Sequence, residues 1–150
     1  MSANAFELFM DQHPPVGDLV VRAGNVLWEQ SALDPVVKER VRIVLAEAIG
    51  CSYCTRFRTE IDGRPILDEH RERDAKAVSA ETFARAVVAD EATDEMSERM
   101  QEQFSPAEFA DLVFSIGWFI GMQHVGRLMH WDNSCPVAPI RAAVEAGEAA

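Results

Sequence analysis

Basic residues are scarce in this chain: fourteen Lys and Arg stand against twenty-five Asp and Glu, a formal charge of −11. The summed field repels phosphate backbones and anionic lipid surfaces, which argues against nucleic acid and membrane as partners. No basic cluster precedes an apolar stretch at the N-terminus, as a secretory signal would require, so a cytoplasmic location is expected. Long apolar runs are also missing. The most apolar segment, residues 109–129, is interrupted by Asp111, Gln123, His124 and Arg127, whereas a membrane span takes about 20 predominantly apolar residues. That segment reads as a buried helix. Hairpin chemistry is thin: Asp62 and Gly63 form the one Asn-Gly or Asp-Gly pair, and no segment alternates with period two. The expected fold is all-α. Three cysteines are too few for a disulfide framework, but two of them have the spacing of redox or metal sites.

What the chain does have is core material. Hydrophobic residues make up 48% of 150 positions, enough for one compact multi-helix domain. Val16, Leu19, Val20, Ala23, Val26 and Leu27 recur at three and four residues and predict a first amphipathic helix over 16–28. Asp34 can accept from exposed helix-start N–H groups, with Pro35 at the first helical position, so a second helix begins there. Its apolar face runs through Val36, Val37, Val41, Val44, Leu45 and Ala48, and Gly50 supplies a left-handed stop. Residues 51–61 read as a third helix, broken before Gly63 and Pro65. The charged stretch 68–76 is a solvated helix or long loop. Helix is expected to continue over 79–103, with Phe83, Val87 and Met100 inward. Ser105, Pro106 and Glu108 form a capping box that opens a long apolar helix to about His130. Residues 141–150 read as a frayed terminal helix.

Cys51 and Cys54 therefore fall in the first turn of a helix. A thiol attacks peroxides or disulfides only as thiolate, and its ordinary pKa of about 8.5 falls near a helix N-terminus or a cation. Both are available, since Arg56 and Arg58 follow within a turn or so. A second thiol three residues on can attack a sulfenic acid or mixed disulfide on the first, giving a disulfide that an external reductant reopens. Helix geometry favours exposure of the first cysteine and burial of the second. Two other readings stay open: a pair of ordinary buried cysteines, and zinc held by Cys51 and Cys54 with two of His124, His130 and Cys135.

The run Leu33, Asp34, Pro35, Val36, Val37, Lys38, Glu39 and Arg40, then an apolar helix, then Gly50, Cys51, Ser52, Tyr53 and Cys54, resembles the core of the alkylhydroperoxidase D and carboxymuconolactone decarboxylase-like family. In that family's peroxidase branch a Glu stands twelve positions before the first Cys, where this chain has Glu39. The pattern's His four positions after the second Cys is Arg58 here, and the residue between the cysteines that is often His is Tyr53. Residues 109–128, with Leu112, Ile116, Gly117, Trp118 and Phe119, resemble the family's later helix. The resemblance covers about residues 15–60 and 105–130. It implies a small helical domain that assembles into dimers, trimers or hexamers, with the cysteine pair reduced by a lipoyl-type or other dithiol donor.

Peroxide reduction also needs a proton for the leaving oxygen. Arg58 can stabilise a thiolate but does not titrate in the useful range, so it does not replace the His as acid or base. Glu39 can serve as a proton relay if the second helix packs on the third, as the resemblance implies; the alternative is a solvated Glu paired with Arg42 one turn on. His124 is the candidate for a displaced base, because imidazole titrates near neutrality, and otherwise a core or interface histidine. His130 suits a helix C-terminus. Trp118, Phe119 and Met122 read as core or subunit interface, Cys135 as an inert loop thiol, and His13 and His70 as surface residues. The expectation is a cofactor-free thiol peroxidase or disulfide reductase in antioxidant defence, acting on a small peroxide or disulfide with a dithiol reductant. Its alternatives are a cysteine-independent decarboxylase or isomerase acting on a small lactone or acid, and a non-enzymatic oligomer with a redox-sensitive pair.

Overall fold

The computed structural model describes residues 5–56, 58–61, 64–66 and 75–130. Among the described residues seven helices carry the fold: α1 Ala5–Gln12, α2 Pro14–Glu29, α3 Pro35–Ile49, α4 Ser52–Arg56, α5 Ala75–Val88, α6 Asp94–Gln103 and α7 Pro106–Leu128. The protein is all-α, with one minimal antiparallel pair among the described residues, β1 Glu60–Ile61 with β2 Arg64–Pro65, in the register Glu60 to Pro65 and Ile61 to Arg64. Expectations placed on Cys135, His70 and residues 141–150 lie outside the described residues.

α3 is the centre. It packs against α5 and α7, carries α4 at its C-terminal end, and is buried around most of its circumference. Fully enclosed Val41, Leu45 and Ala46 meet a core that includes Ala77, Ala80 and Ala84 of α5 and Leu112 and Phe119 of α7. The alanines recur at three and four residues, and side chains that small let α5 lie close to α3. α1 packs on α2, where a Cβ at Gly17 would stand 2.8 Å from the Met10 methyl group.

The expected boundaries of α3 and the expected start of α7 hold. Asp34 accepts from the Val36 N–H at 2.7 Å, Pro35 opens the helix, and Gly50 closes it at φ +79°. Ser105 and Glu108 bond reciprocally in the capping box. α7 stops at Leu128, two residues short of expectation, and His130 takes a left-handed φ of 57°.

Three expectations need correction. α1 precedes the predicted first helix. The helix expected over 79–103 is two, because Asp90 adopts φ 60° and closes α5. Its N–H bonds Val87 O and the Glu91 N–H bonds Ala86 O, the paired closure that satisfies terminal carbonyls. Thr93 then caps α6 by accepting from the Met96 N–H, ahead of Asp94 and Glu95 at the positive end of the helix dipole. The helix expected over 51–61 ends at Arg56, since Thr59 turns its N–H and hydroxyl to Glu39 while its carbonyl accepts from Ile66.

Gly50 aims the chain from α3 into the cysteine pair, and a side chain there would be strained by the left-handed backbone. Gly50→Ala is expected to cost about 1–2 kcal/mol, read as a lower urea midpoint at unchanged slope; an unaltered midpoint would contradict the strain.

Candidate functional site

Cys51 precedes α4 and Cys54 is its third residue, both as thiols. Cys51 retains 8% of its surface and Cys54 none, so the first thiol is the one an external molecule reaches. α4 is a single turn. The dipole that favours a thiolate is correspondingly small, because few aligned peptides contribute to it. The backbone around the pair is fixed instead by hydrogen bonds. The Cys51 N–H donates to Ala46 O at 3.0 Å, as part of the close of α3. Cys51 O accepts from the Thr55 N–H and the Thr55 hydroxyl at 3.0 and 2.8 Å. Cys54 O accepts from Arg42 Nη1 at 2.9 Å.

That last bond comes from a guanidinium with no exposed surface. Arg42 lies one turn after Glu39 on α3, and the two form a bidentate pair: Nε to Oε2 at 2.9 Å and Nη2 to Oε1 at 2.7 Å. Glu39 is equally enclosed and accepts two more bonds, from the Thr59 N–H to Oε1 and the Thr59 hydroxyl to Oε2, both at 2.8 Å. Burial pushes the Glu39 carboxyl up. The Arg42 hydrogen bonds and charge, with both Thr59 donors, outweigh that and hold it below the ordinary value of 4.5. Such a carboxylate is a poor proton carrier near neutral pH. Its geometry suits anchoring rather than the expected relay, and it is not solvated as in the alternative. The pair neutralises itself, so what Arg42 delivers to the cysteines is position more than net charge.

From the opposite side, Gln123 of α7, fully buried, donates its Nε2 to the Arg42 carbonyl at 3.0 Å. One polar chain thus runs from α7 through α3 to the Cys54 carbonyl, and through Glu39 to Thr59.

The other expected residues are placed less centrally. Arg58 is exposed and donates Nη1 to Thr55 O at 2.7 Å, at the C-terminal end of α4 where a cation is favourable. Tyr53 is half-buried against the core cluster. His124 is half-buried, and of the two neighbours it is Gln123 whose amide meets α3. His13 and His130 are exposed. Among the described residues no group of three His, Cys, Asp or Glu side chains could hold a metal, so the zinc arrangement gains no support there. Among them also, no helix is long and apolar enough to cross a membrane.

Sequence reasoning gave Arg42 only a minor part and missed Thr59, Gln123 and Lys38. Lys38, next to Glu39 and nearly as buried, caps the C-terminal turn of α2 by donating to Leu27 O, with its ammonium 5.2 Å from the Trp28 ring centre. Burial lowers its pKa to about 8, against the opposing pull of Asp111. Asp111 in turn accepts from Ser31 and from the Ala32 N–H, so the α2–α3 turn is tied to α7. The available signal was density: four charges, Lys38, Glu39, Arg40 and Arg42, within five positions of a helix bounded by clean caps.

Compared with known proteins, the chain matches no family model, no curated protein and no solved structure.

Removing one partner of a buried ion pair strands the other, so Glu39→Gln is expected to destabilise the fold by about 3–5 kcal/mol near neutral pH. Because the folded carboxyl is depressed, its contribution is full above the ordinary carboxylate range and is lost as pH falls through the lower folded value. The stability gap between wild type and variant should therefore hold at neutral pH and shrink below about pH 4.5. Urea titrations across that range check it, and a constant gap would contradict it.

Proposed function

We propose that the protein is a thiol-disulfide oxidoreductase of the alkylhydroperoxidase D and carboxymuconolactone decarboxylase-like kind, with Cys51 and Cys54 cycling between dithiol and disulfide. The observation that carries this reading is the fixed backbone of the pair. Both cysteine carbonyls and the Cys51 N–H are hydrogen-bonded, and the bond to Cys54 comes from a buried guanidinium that is itself locked by Glu39. A pair held in one geometry has little left to reorganise before the sulfurs react, which is how positioning accelerates an internal step.

In the peroxide reaction the Cys51 thiolate attacks the distal oxygen of a hydroperoxide. The O–O bond breaks, Cys51 becomes a sulfenic acid, and the alkoxide leaves with a proton as alcohol. Cys54 then attacks the Cys51 sulfur, displacing water and closing the disulfide. A dithiol donor opens it by exchange and is itself oxidised. Arg42 and Glu39 position the pair. Tyr53 and His124 are the candidates for proton delivery, and Arg58 is a candidate for stabilising the thiolate. The setting would be antioxidant defence in the cytoplasm.

The near-complete burial of both sulfurs favours one further reading, a non-enzymatic redox-sensitive protein whose pair oxidises without turnover. One experiment separates them. Cys135→Ser protein treated with one equivalent of peroxide should lose two hydrogens by intact mass, and adding Cys54→Ser should instead trap a sulfenic acid on Cys51. Peroxide consumption supported by a dithiol should be lost in Cys51→Ser. Oxidation without catalytic consumption selects the redox-sensitive protein, and thiols inert both to peroxide and to a small disulfide remove both readings.

A further inference from the structure

Gln123 of α7 makes a hydrogen bond that the fold does not need and holds an oxygen that the fold does not satisfy. The side chain is wholly enclosed. Its Nε2 donates to Arg42 O at 3.0 Å, yet Arg42 lies inside α3, whose i to i+4 ladder already gives that carbonyl the Ala46 N–H. Its Oε1 has no hydrogen-bond partner among the described residues. Burying an amide oxygen without a donor costs free energy that an apolar side chain of the same size would not. Methionine is such a side chain, unbranched and similarly flexible. Placed at 123 it would strand nothing on α3, because Arg42 O keeps its helical donor. For stability alone, an apolar residue is the better one at this position.

A polar group that local rules disfavour calls for a reason outside stability. Leu112, Phe119 and Met122 bury α7 in the core by apolar contact, which is non-directional and leaves helices some freedom to rotate on one another. A hydrogen bond to a single carbonyl removes that freedom. The carbonyl chosen belongs to Arg42, the residue whose Nη1 donates to Cys54 O at 2.9 Å. Glu39 therefore fixes Arg42 through its side chain and Gln123 fixes it through its main chain. Closing a disulfide needs the Cys54 sulfur in line with the bond that breaks at Cys51, and a displacement of about 1 Å can slow such a step by about a hundredfold.

We propose that Gln123 is a positioning residue for disulfide closure, acting through Arg42 and retained although it lowers stability. The inference rests on the thiol-disulfide reading of Cys51 and Cys54. In Cys135→Ser protein, dithiodipyridine separates the two steps. The Cys51 thiolate attacks the probe disulfide, releasing one pyridinethiolate and leaving a mixed disulfide; the Cys54 thiolate then attacks the Cys51 sulfur, closing the internal disulfide and releasing the second. Gln123→Met should slow the second release by roughly tenfold or more, leave the first unchanged, and hold or raise the urea midpoint. Ser115→Ala removes an equally enclosed, unpartnered hydroxyl from the same helix and serves as the control. It should hold or raise the midpoint while leaving both releases as they are. An unchanged second release in Gln123→Met overturns the proposal, and so does a slower one with a lowered midpoint, which would mark a purely structural role. A second release slowed as much in Ser115→Ala overturns it too, since any relief of α7 would then suffice. If the parent protein gives neither release, the thiol-disulfide reading falls and this inference with it.

Discussion

A charged pair that cannot reach water sits at the centre of this molecule, and the surrounding structure is arranged to satisfy it. Glu39 and Arg42 lie inside α3, enclosed by the fold. Taking two such groups out of water costs several kcal/mol per ion, so neither can be left with an unmet hydrogen-bonding site. Thr59 adds two donors to the carboxylate, and the Cys54 carbonyl accepts from the guanidinium's Nη1. The short α4 and the turn after it follow from that demand. Five residues of helix have little stability of their own, and α4 persists because Cys51 before it and Cys54 within it are tied to α3.

The same constraint links fold to chemistry. A thiol pair on an isolated turn would sample many geometries. Here the cysteine backbone is bonded to the close of α3 on one side and to Arg42 on the other. Gln123 extends the chain of contacts to α7.

The element boundaries were largely legible, because they depend on local chemistry. Asp34 with Pro35, Gly50, and Ser105 with Glu108 each act within one turn, and each behaves as its residue type requires. Thr93 and Asp90 obey the same rules, and reading them as a cap and a left-handed stop would have divided α5 from α6. The site was less legible. Cys51 and Cys54 announce themselves by spacing, but Arg42 looks like an ordinary helix-surface partner of Glu39 until α4, α5 and α7 are seen to cover α3. Thr59 is twenty residues from Glu39 and Gln123 is eighty-one from Arg42. No local pattern announces contacts at such range. Arg58, chosen for its closeness in sequence to the cysteines, is at the surface, while the buried cation comes from a preceding helix.

The central claim is that an ionised Glu39 locks Arg42, and through it the Cys54 carbonyl, in place. Titration of the Glu39 carboxyl carbon by NMR in the folded protein reads this directly. The account requires that signal to remain that of a carboxylate down to below the ordinary value of 4.5. A midpoint at or above that value would mean that the buried pair does not hold, and the positioning of the cysteines would lose its physical basis.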